Sequence, residues 1–408
     1  MLKPELIMSH SQLLQIQEGP RSSAPTPLLR LAFRPFYLMA AALAVLAVPL
    51  WLAGYHGLLK LDLLWHTHEM VFGFAGAVIV GFLLTASRNW TNLWTPRGAH
   101  LAALALLWLA GRAAMLIAAS QEADSASALL ARAVEAIFLP VAAWELLSVI
   151  KRASNKRNYP IVGIVSLLAL ANITFHAAAL GWISTSALTP VHAAILLITL
   201  LEAVMGGRVI PMFTTIGAPG SKPRSLAWRD KASLVLIAAT ALAWLSPLPG
   251  PVTAAIAFAA AAMNAARLLG WAPLSTVRVP LLWVLHLSYA WIAGGLLLLG
   301  FAALGIGSAS SAFHSLGVGA MSGLIIGMIT RTALGHTGRP LKAGRAEFFM
   351  YCFLEAGAIL RLCANMVSAG NRDFVLYSSA ACWTVAFLLY LIVYTPYLSQ
   401  ARLDGREG

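Results

Sequence analysis

Ten histidines occur in this 408-residue chain, and five of them stand at the ends of long apolar runs, where imidazole is least expected. His66 and His68 lie in Trp65-His66-Thr67-His68-Glu69-Met70; His176, His192 and His314 follow at the edges of three further runs. Neutral imidazole nitrogen is the commonest protein ligand for haem iron, copper and zinc, and it gains nothing from facing lipid. One such histidine alone reads as an interfacial or hydrogen-bonded helix-end residue. Five at a matching depth on four helices point to a metal or haem site. His66 and His68 are about 200° apart on an ideal helix, so they serve two different neighbours. Glu69, one turn from His66, is placed to orient its second nitrogen or to receive a proton.

Other charges fall inside apolar runs. Glu202 and Glu355 are candidate proton or ion carriers, with interhelical hydrogen bonding as the plainer alternative. Arg112, Arg132 and Arg361 need anions, because an unpaired charge in a membrane helix costs about 2.5 to 3.5 kcal/mol even on lenient scales. Glu135, one turn after Arg132, is an available local partner; a ligand carboxylate is the other reading.

The elements that must position these residues follow from composition. The chain is 60% hydrophobic and 11% charged, with a mean hydropathy of +0.79, whereas soluble domains are about 25% charged. Apolar runs long enough to cross a bilayer start near Pro35, Leu61, Gly98, Ser127, Pro160, Thr189, Trp228, Pro251, Val279, Ala312, Ala346 and Phe374. The expected fold is an all-α integral membrane protein of about twelve spans. The net charge of +13 is spread over short loops instead of forming a nucleic-acid patch. Lys and Arg crowd alternate loops, and only Lys60 and Arg372 lie in the loops on the opposite side. By the positive-inside rule both termini are cytoplasmic, and the five histidines lie near the outer face of the membrane. The expected organisation is a mobile cytoplasmic tail over 1–34, one membrane domain over 35–398 and a short cytoplasmic tail over 399–408. Spans 2, 6 and 10 each begin with histidine and end in Arg with Thr, which suggests three four-helix arcs with these spans innermost.

The sequence resembles the NnrS family of bacterial membrane proteins. The likeness runs through Phe33-Arg34-Pro35-Phe36, Trp65 to Phe74, Gly81 to Ala86, Asn89-Trp90-Thr91, Asn172 to His176, Gly206 to Thr214 and Thr332 to Pro340, and covers about Phe33 to Pro396. The resemblance implies a cytoplasmic-membrane protein containing haem, with copper or a second haem, associated with nitric oxide and nitrosative stress in denitrification. The chain is more loosely similar to the catalytic subunit of haem-copper oxidases and nitric oxide reductases. By that analogy His68 and His314 match the axial ligands of a b-type haem and His192 matches a copper ligand. Span 7 has no histidine and span 10 has one at its outer end, so a conventional binuclear centre is in doubt, with His66 and His176 available as replacement metal ligands. Arg112, Arg132 and Arg361 are then candidates for the haem propionates, and Glu69 and Glu202 for proton transfer. No CxxCH motif is present, so electrons would come from quinol or another donor. The competing readings are a secondary transporter and a metal-handling or assembly protein for denitrification enzymes.

Overall fold

The computed structural model describes residues 26–406; the greater part of the expected N-terminal tail, with His10, lies outside the described residues. Among the described residues there are helices and no strands. Twelve helical rods follow one another: α1 Phe33–Tyr55, α2 Leu63–Thr91, α3 Ala99–Ser120, α4 Ala126–Arg152, α5 Lys156–Ala179, α6 Leu188–Gly217, α7 Ala227–Leu245, α8 Gly250–Gly270, α9 Pro280–Ala303, α10 Ala309–His336, α11 Arg345–Cys363 and α12 Ala369–Ser399. Each begins within a few residues of a start expected from the apolar runs.

Ten of the twelve are long and apolar enough to cross a membrane. The exceptions are α7 and α11, and charge is the reason. Arg229, Asp230 and Lys231 open α7, while α11 carries Arg345, Glu347, Glu355 and Arg361.

Local chemistry sets the helix ends that matter for the site. The carboxylate of Asp62 caps α2 by accepting from the Trp65 amide at 2.8 Å, and Ser308 caps α10 by accepting from the Ser311 amide at 3.2 Å. Both caps answer orphan amides of a first turn. The rod α4 breaks at Ile137, between Ala126–Ala136 and Phe138–Arg152. Pro140 explains the break, since a proline ring clashes with the carbonyl four residues earlier, here Ala136.

Helices α2 and α10 share an unusual feature. The α-helical turns end at His68 and at His314, and each is followed at once by a π-helical stretch, Glu69–Ala75 and Ser315–Ser322. A π segment widens the helix and turns the residues before it relative to those after it, and such segments are frequent at functional sites. These two rods are also the most enclosed: 78% of each spanning window is buried, against 33 to 56% for the other eight. Their π segments touch each other, and both touch α6. Around them the chain closes on itself, with α12 packed against both α1 and α11.

The described residues next to the termini are packed. The Leu29 carbonyl accepts from the Gly98 amide at 2.8 Å, and buried Arg34 donates to the carbonyls of Leu398 and Gln400 at 2.8 and 2.7 Å. After α12, Leu403 donates its amide to the Thr337 carbonyl at 3.2 Å. Two hydrogen bonds from the Arg402 guanidinium hold the Asp404 carboxyl below the usual carboxylate range.

Candidate functional site

The histidine end of the bundle contains two separate groupings. The first joins α2, α3, α4 and α5. Here Nε2 of His68, Nε2 of His176 and Oε2 of Glu135 converge: the His176 contact is 2.8 Å and the His68 contact 3.2 Å. One ligand atom from each residue lies within 4.8 Å of the others, and all three residues are buried. Asn172, one turn before His176 on α5, donates Nδ2 to the same Oε2 at 2.9 Å, which turns its Oδ1 toward His68 Nε2 at 3.0 Å. The Nδ1 atom of His68 faces Oε1 of Glu69 at 3.2 Å. Arg112 on α3 bridges both carboxylates, donating to Glu69 at 2.8 Å and to Glu135 at 2.6 Å.

Close helix approach makes this possible. Gly73 leaves space that the Arg112 guanidinium fills, and a Cβ at Gly111 would stand 3.4 Å from the Glu135 side chain. Trp108 fixes the π segment by donating to the Gly73 carbonyl at 3.1 Å.

Both nitrogens of His68 therefore face oxygens that accept, the pattern of a doubly protonated ring. With His68 in that form, two carboxylates are balanced by one guanidinium and one imidazolium, which meets the demand for pairing of buried charge. A metal ion at the same place would take the lone pairs of His68 and His176 and one oxygen of Glu135, replacing the proton on His68. Two imidazoles and a carboxylate are a donor set used for zinc, copper and iron. Glu69 and Asn172 then orient the ligands.

The second grouping is a cavity of about 310 Å³ enclosed by α1, α2, α6, α10, α11 and α12. His66, His192, His314 and Arg361 line it together with Met70, Met321 and several aliphatic side chains. The Nδ1 atom of His314 lies 2.7 Å from the Ser310 carbonyl. A carbonyl only accepts, so Nδ1 carries the proton and Nε2 offers a lone pair. His192 is the reverse. It receives a hydrogen bond at Nδ1 from the Trp244 indole at 3.4 Å, which leaves the proton on Nε2, and its ring stacks on Phe313 at 3.8 Å. His66 stacks on Trp51 at 4.4 Å, and its buried Nδ1 has no partner. Among the described residues Arg361 hydrogen-bonds Asn365 and Ser310, at 3.4 and 3.5 Å.

Beyond the floor of this cavity lies a smaller one of about 90 Å³, bounded by α1, α2, α6, α9 and α10. Its lining is apolar except for Tyr37 and Glu202, and Oε2 of Glu202 is buried without a hydrogen-bond partner. Glu355 is instead bonded by Ser288 and Trp291, at 3.1 and 2.7 Å.

The residues singled out from the sequence thus divide. His68, His176, Glu69 and Arg112 meet around Glu135; His66, His192, His314 and Arg361 share the cavity. His68 and His314, paired by the oxidase analogy, fall in different groupings. The expected Arg132–Glu135 pair is replaced, because Glu135 is taken by Arg112. Arg132 lines an outer hollow of about 540 Å³ with Asp62 and Lys60. Sequence reasoning treated Glu135 as a local counter-ion and passed over Asn172 as a functional residue. The available signals were a carboxylate inside an apolar helix and an Asn-His pair one turn apart.

A buried imidazole–carboxylate centre beside a histidine-lined cavity, carried by apolar helices long enough to span a bilayer, defines a polytopic membrane protein with a candidate metal site. A family model described as NnrS protein matches residues 27–402, and the chain belongs to the NnrS family. No curated protein matches it.

Proposed function

We propose that this protein binds nitric oxide at a b-type haem held in the histidine-lined cavity, and that the His68, Glu135 and His176 cluster holds a second metal, copper by the family resemblance. The observation that carries the reading is the free Nε2 of His314, fixed by the Ser310 carbonyl and lining the cavity with His66, His192 and Arg361.

The residues fit the group. His314 would offer its Nε2 to the iron, with His66, whose Nδ1 is unpartnered, as the other candidate to hold it. Arg361, with no carboxylate among its described partners, suits the haem carboxylates better than Arg112, which is already committed to Glu69 and Glu135. His192 presents Nε2–H, so it acts as a hydrogen-bond donor toward a bound diatomic and not as a metal ligand. Glu202, the unpartnered carboxyl in the neighbouring cavity, holds the proton that chemistry on nitric oxide would consume. When bound, the haem supplies an iron site for a small apolar gas that arrives through lipid.

The membrane placement proposed with this function is twelve spans, α7 and α11 included, in three arcs with α2, α6 and α10 innermost. Both termini lie in the cytoplasm of a bacterium, electrons come from quinol or another donor, and the histidine end faces the periplasm. The distribution of Lys and Arg supports that orientation.

The test is the reduced-minus-oxidised optical spectrum of the detergent-purified full chain, with pyridine-haemochrome and metal quantification, before and after nitric oxide. Stoichiometric b-type haem that shifts with nitric oxide and disappears in His314→Ala is expected. Metal without haem would leave a metal-handling role; neither would return the transporter reading to the front.

A further inference from the structure

Three arginines stand inside apolar runs, and the sites described above give only two of them a use. Arg112 is held by Glu69 and Glu135, and Arg361 lines the histidine cavity. Arg132 has no hydrogen bond or ion pair with the described residues, and its Nε is buried without a partner. A cation so placed on a membrane helix is costly until an anion meets it.

Arg132 lines the outer hollow of about 540 Å³, which lies between the α1–α2 link, the end of α3 and the helices α4 and α5. Gly54 lets that link fold back tightly, because a Cβ there would strike the Leu61 carbonyl oxygen. Two cations line the hollow, Arg132 and Lys60, against one carboxylate, Asp62. Asp62 forms no ion pair with either and accepts from the Trp65 amide as the cap of α2. Glu122 and Asp124, in the adjoining α3–α4 link, are exposed and are not among the lining residues. Trp65 is, at 4% exposure, and its buried indole N–H has no acceptor. An indole nitrogen only donates. The hollow thus keeps one positive charge in excess and two buried N–H groups unused, while Leu64, Met115 and Phe175 give it an apolar wall.

We propose that this hollow binds the carboxylate of a small organic acid, with Arg132, Lys60 and the Trp65 indole around the two oxygens and the apolar body against Leu64, Met115 and Phe175. A planar guanidinium matches the paired oxygens of a carboxylate, and a monoanion cancels the single excess charge. Inorganic phosphate shares the oxygens but has no apolar body to lay on that wall. The proposal is independent of the haem and metal assignments.

Isothermal titration calorimetry of the full chain in a neutral detergent, with benzoate, acetate or inorganic phosphate as probe, tests it. The wild type should bind benzoate saturably and acetate about tenfold more weakly, since acetate lacks the buried ring. Arg132→Gln should weaken benzoate by at least about tenfold, the worth of a charge-assisted hydrogen-bonded pair, and Lys60→Gln by about two- to fivefold, as befits an exposed charge. Without ligand, Arg132→Gln should melt no lower than the wild type, because it removes a charge that no carboxylate pairs. Benzoate should raise the melting temperature of the wild type and not of that variant. No saturable benzoate binding by the wild type, equal binding by Arg132→Gln, or a lower ligand-free melt of that variant overturns the proposal. Phosphate bound as tightly as benzoate overturns it too and assigns the hollow to an inorganic anion.

Discussion

The His68 cluster and the His66 cavity start two residues apart on the same helix, yet their polar atoms are treated in opposite ways. Around His68 most of the demand is met, since Glu135 alone is approached by Arg112, Asn172, His176 and His68, although buried Arg112 Nε and His176 Nδ1 have no partner. Around His66 it is left open, with an unpartnered Nδ1, a His314 Nε2 free to ligate and an Arg361 without a carboxylate. The first arrangement can only exchange one cation for another, a proton for a metal. The second is a cavity of about 310 Å³ whose lining keeps unused bonding capacity. His66 and His68 stand in the α-helical turns before the π segment, about 200° apart, so one helix presents two histidines on different faces.

The largest effect should follow from breaking the filled cluster. Glu135→Ala leaves Arg112 with one carboxylate and strips both His68 and His176 of their shared acceptor. Removing one partner of a buried charge pair costs about 3 to 5 kcal/mol, and a chemical-denaturation midpoint in detergent should fall accordingly, with loss of any bound metal. A shift below about 1 kcal/mol would mean that the cluster is not the electrostatic anchor of α3, α4 and α5. Gly73→Ala attacks the same cluster from its back, because the added Cβ occupies the place of the Arg112 guanidinium. It should lower stability by about 1 to 3 kcal/mol, the usual cost of overpacking; an unchanged melt would show that Arg112 has room to move.

The cavity should respond differently. His314→Ala removes a side chain from the wall of an existing space, so stability should change by no more than about 1 kcal/mol, while haem content, read by pyridine haemochrome, should fall to near zero. Equal loss of stability in His314→Ala and Glu135→Ala would erase the distinction between the two regions. Glu202→Gln keeps the side-chain volume and should leave haem content and melting unchanged. A protonated-carboxyl band in the infrared difference spectrum on nitric oxide binding should be lost in that variant; its persistence would clear Glu202 of a proton role.

Most of the frame was readable before any coordinates, because long apolar runs separated by Gly, Pro and Lys or Arg leave few alternatives to a helical bundle. Charge separates the expected count of twelve from the ten helices long and apolar enough to cross a membrane, because α7 and α11 each carry three or more Asp, Glu, Lys or Arg residues. The site was legible as a list and not as a map. Depth follows from sequence position along a helix, so His66, His68, His176, His192 and His314 could be grouped at one end. Regular helix geometry separates His66 from His68 by about 200°, but sequence does not say which neighbour each face meets, here α4 and α5 for His68 and α1 for His66. Glu135 is likewise one turn from Arg132 in sequence, but Gly111 lets α3 come close enough for Arg112 to take it.

His192 is where the comparison can be tested most finely, since the oxidase analogy would make it a copper ligand and its hydrogen bonding makes it a donor. The Trp244 indole can only donate, so it selects the His192 tautomer whose Nε2 carries hydrogen. His192→Leu should then keep haem and the His68 metal at full occupancy and weaken nitric oxide binding by about 3- to 10-fold, the worth of one hydrogen bond of about 1 kcal/mol. Trp244→Phe leaves the imidazole in place but frees its Nδ1, so the ring can take the ligating tautomer; nitric oxide affinity should fall by a similar factor without loss of either centre. If His192→Leu instead loses a metal or the haem, the tautomer argument fails and His192 belongs with the ligands. If only the off-rate of nitric oxide changes, the open cavity is a binding pocket whose polarity is set from the α7 side by a tryptophan that lies outside its lining.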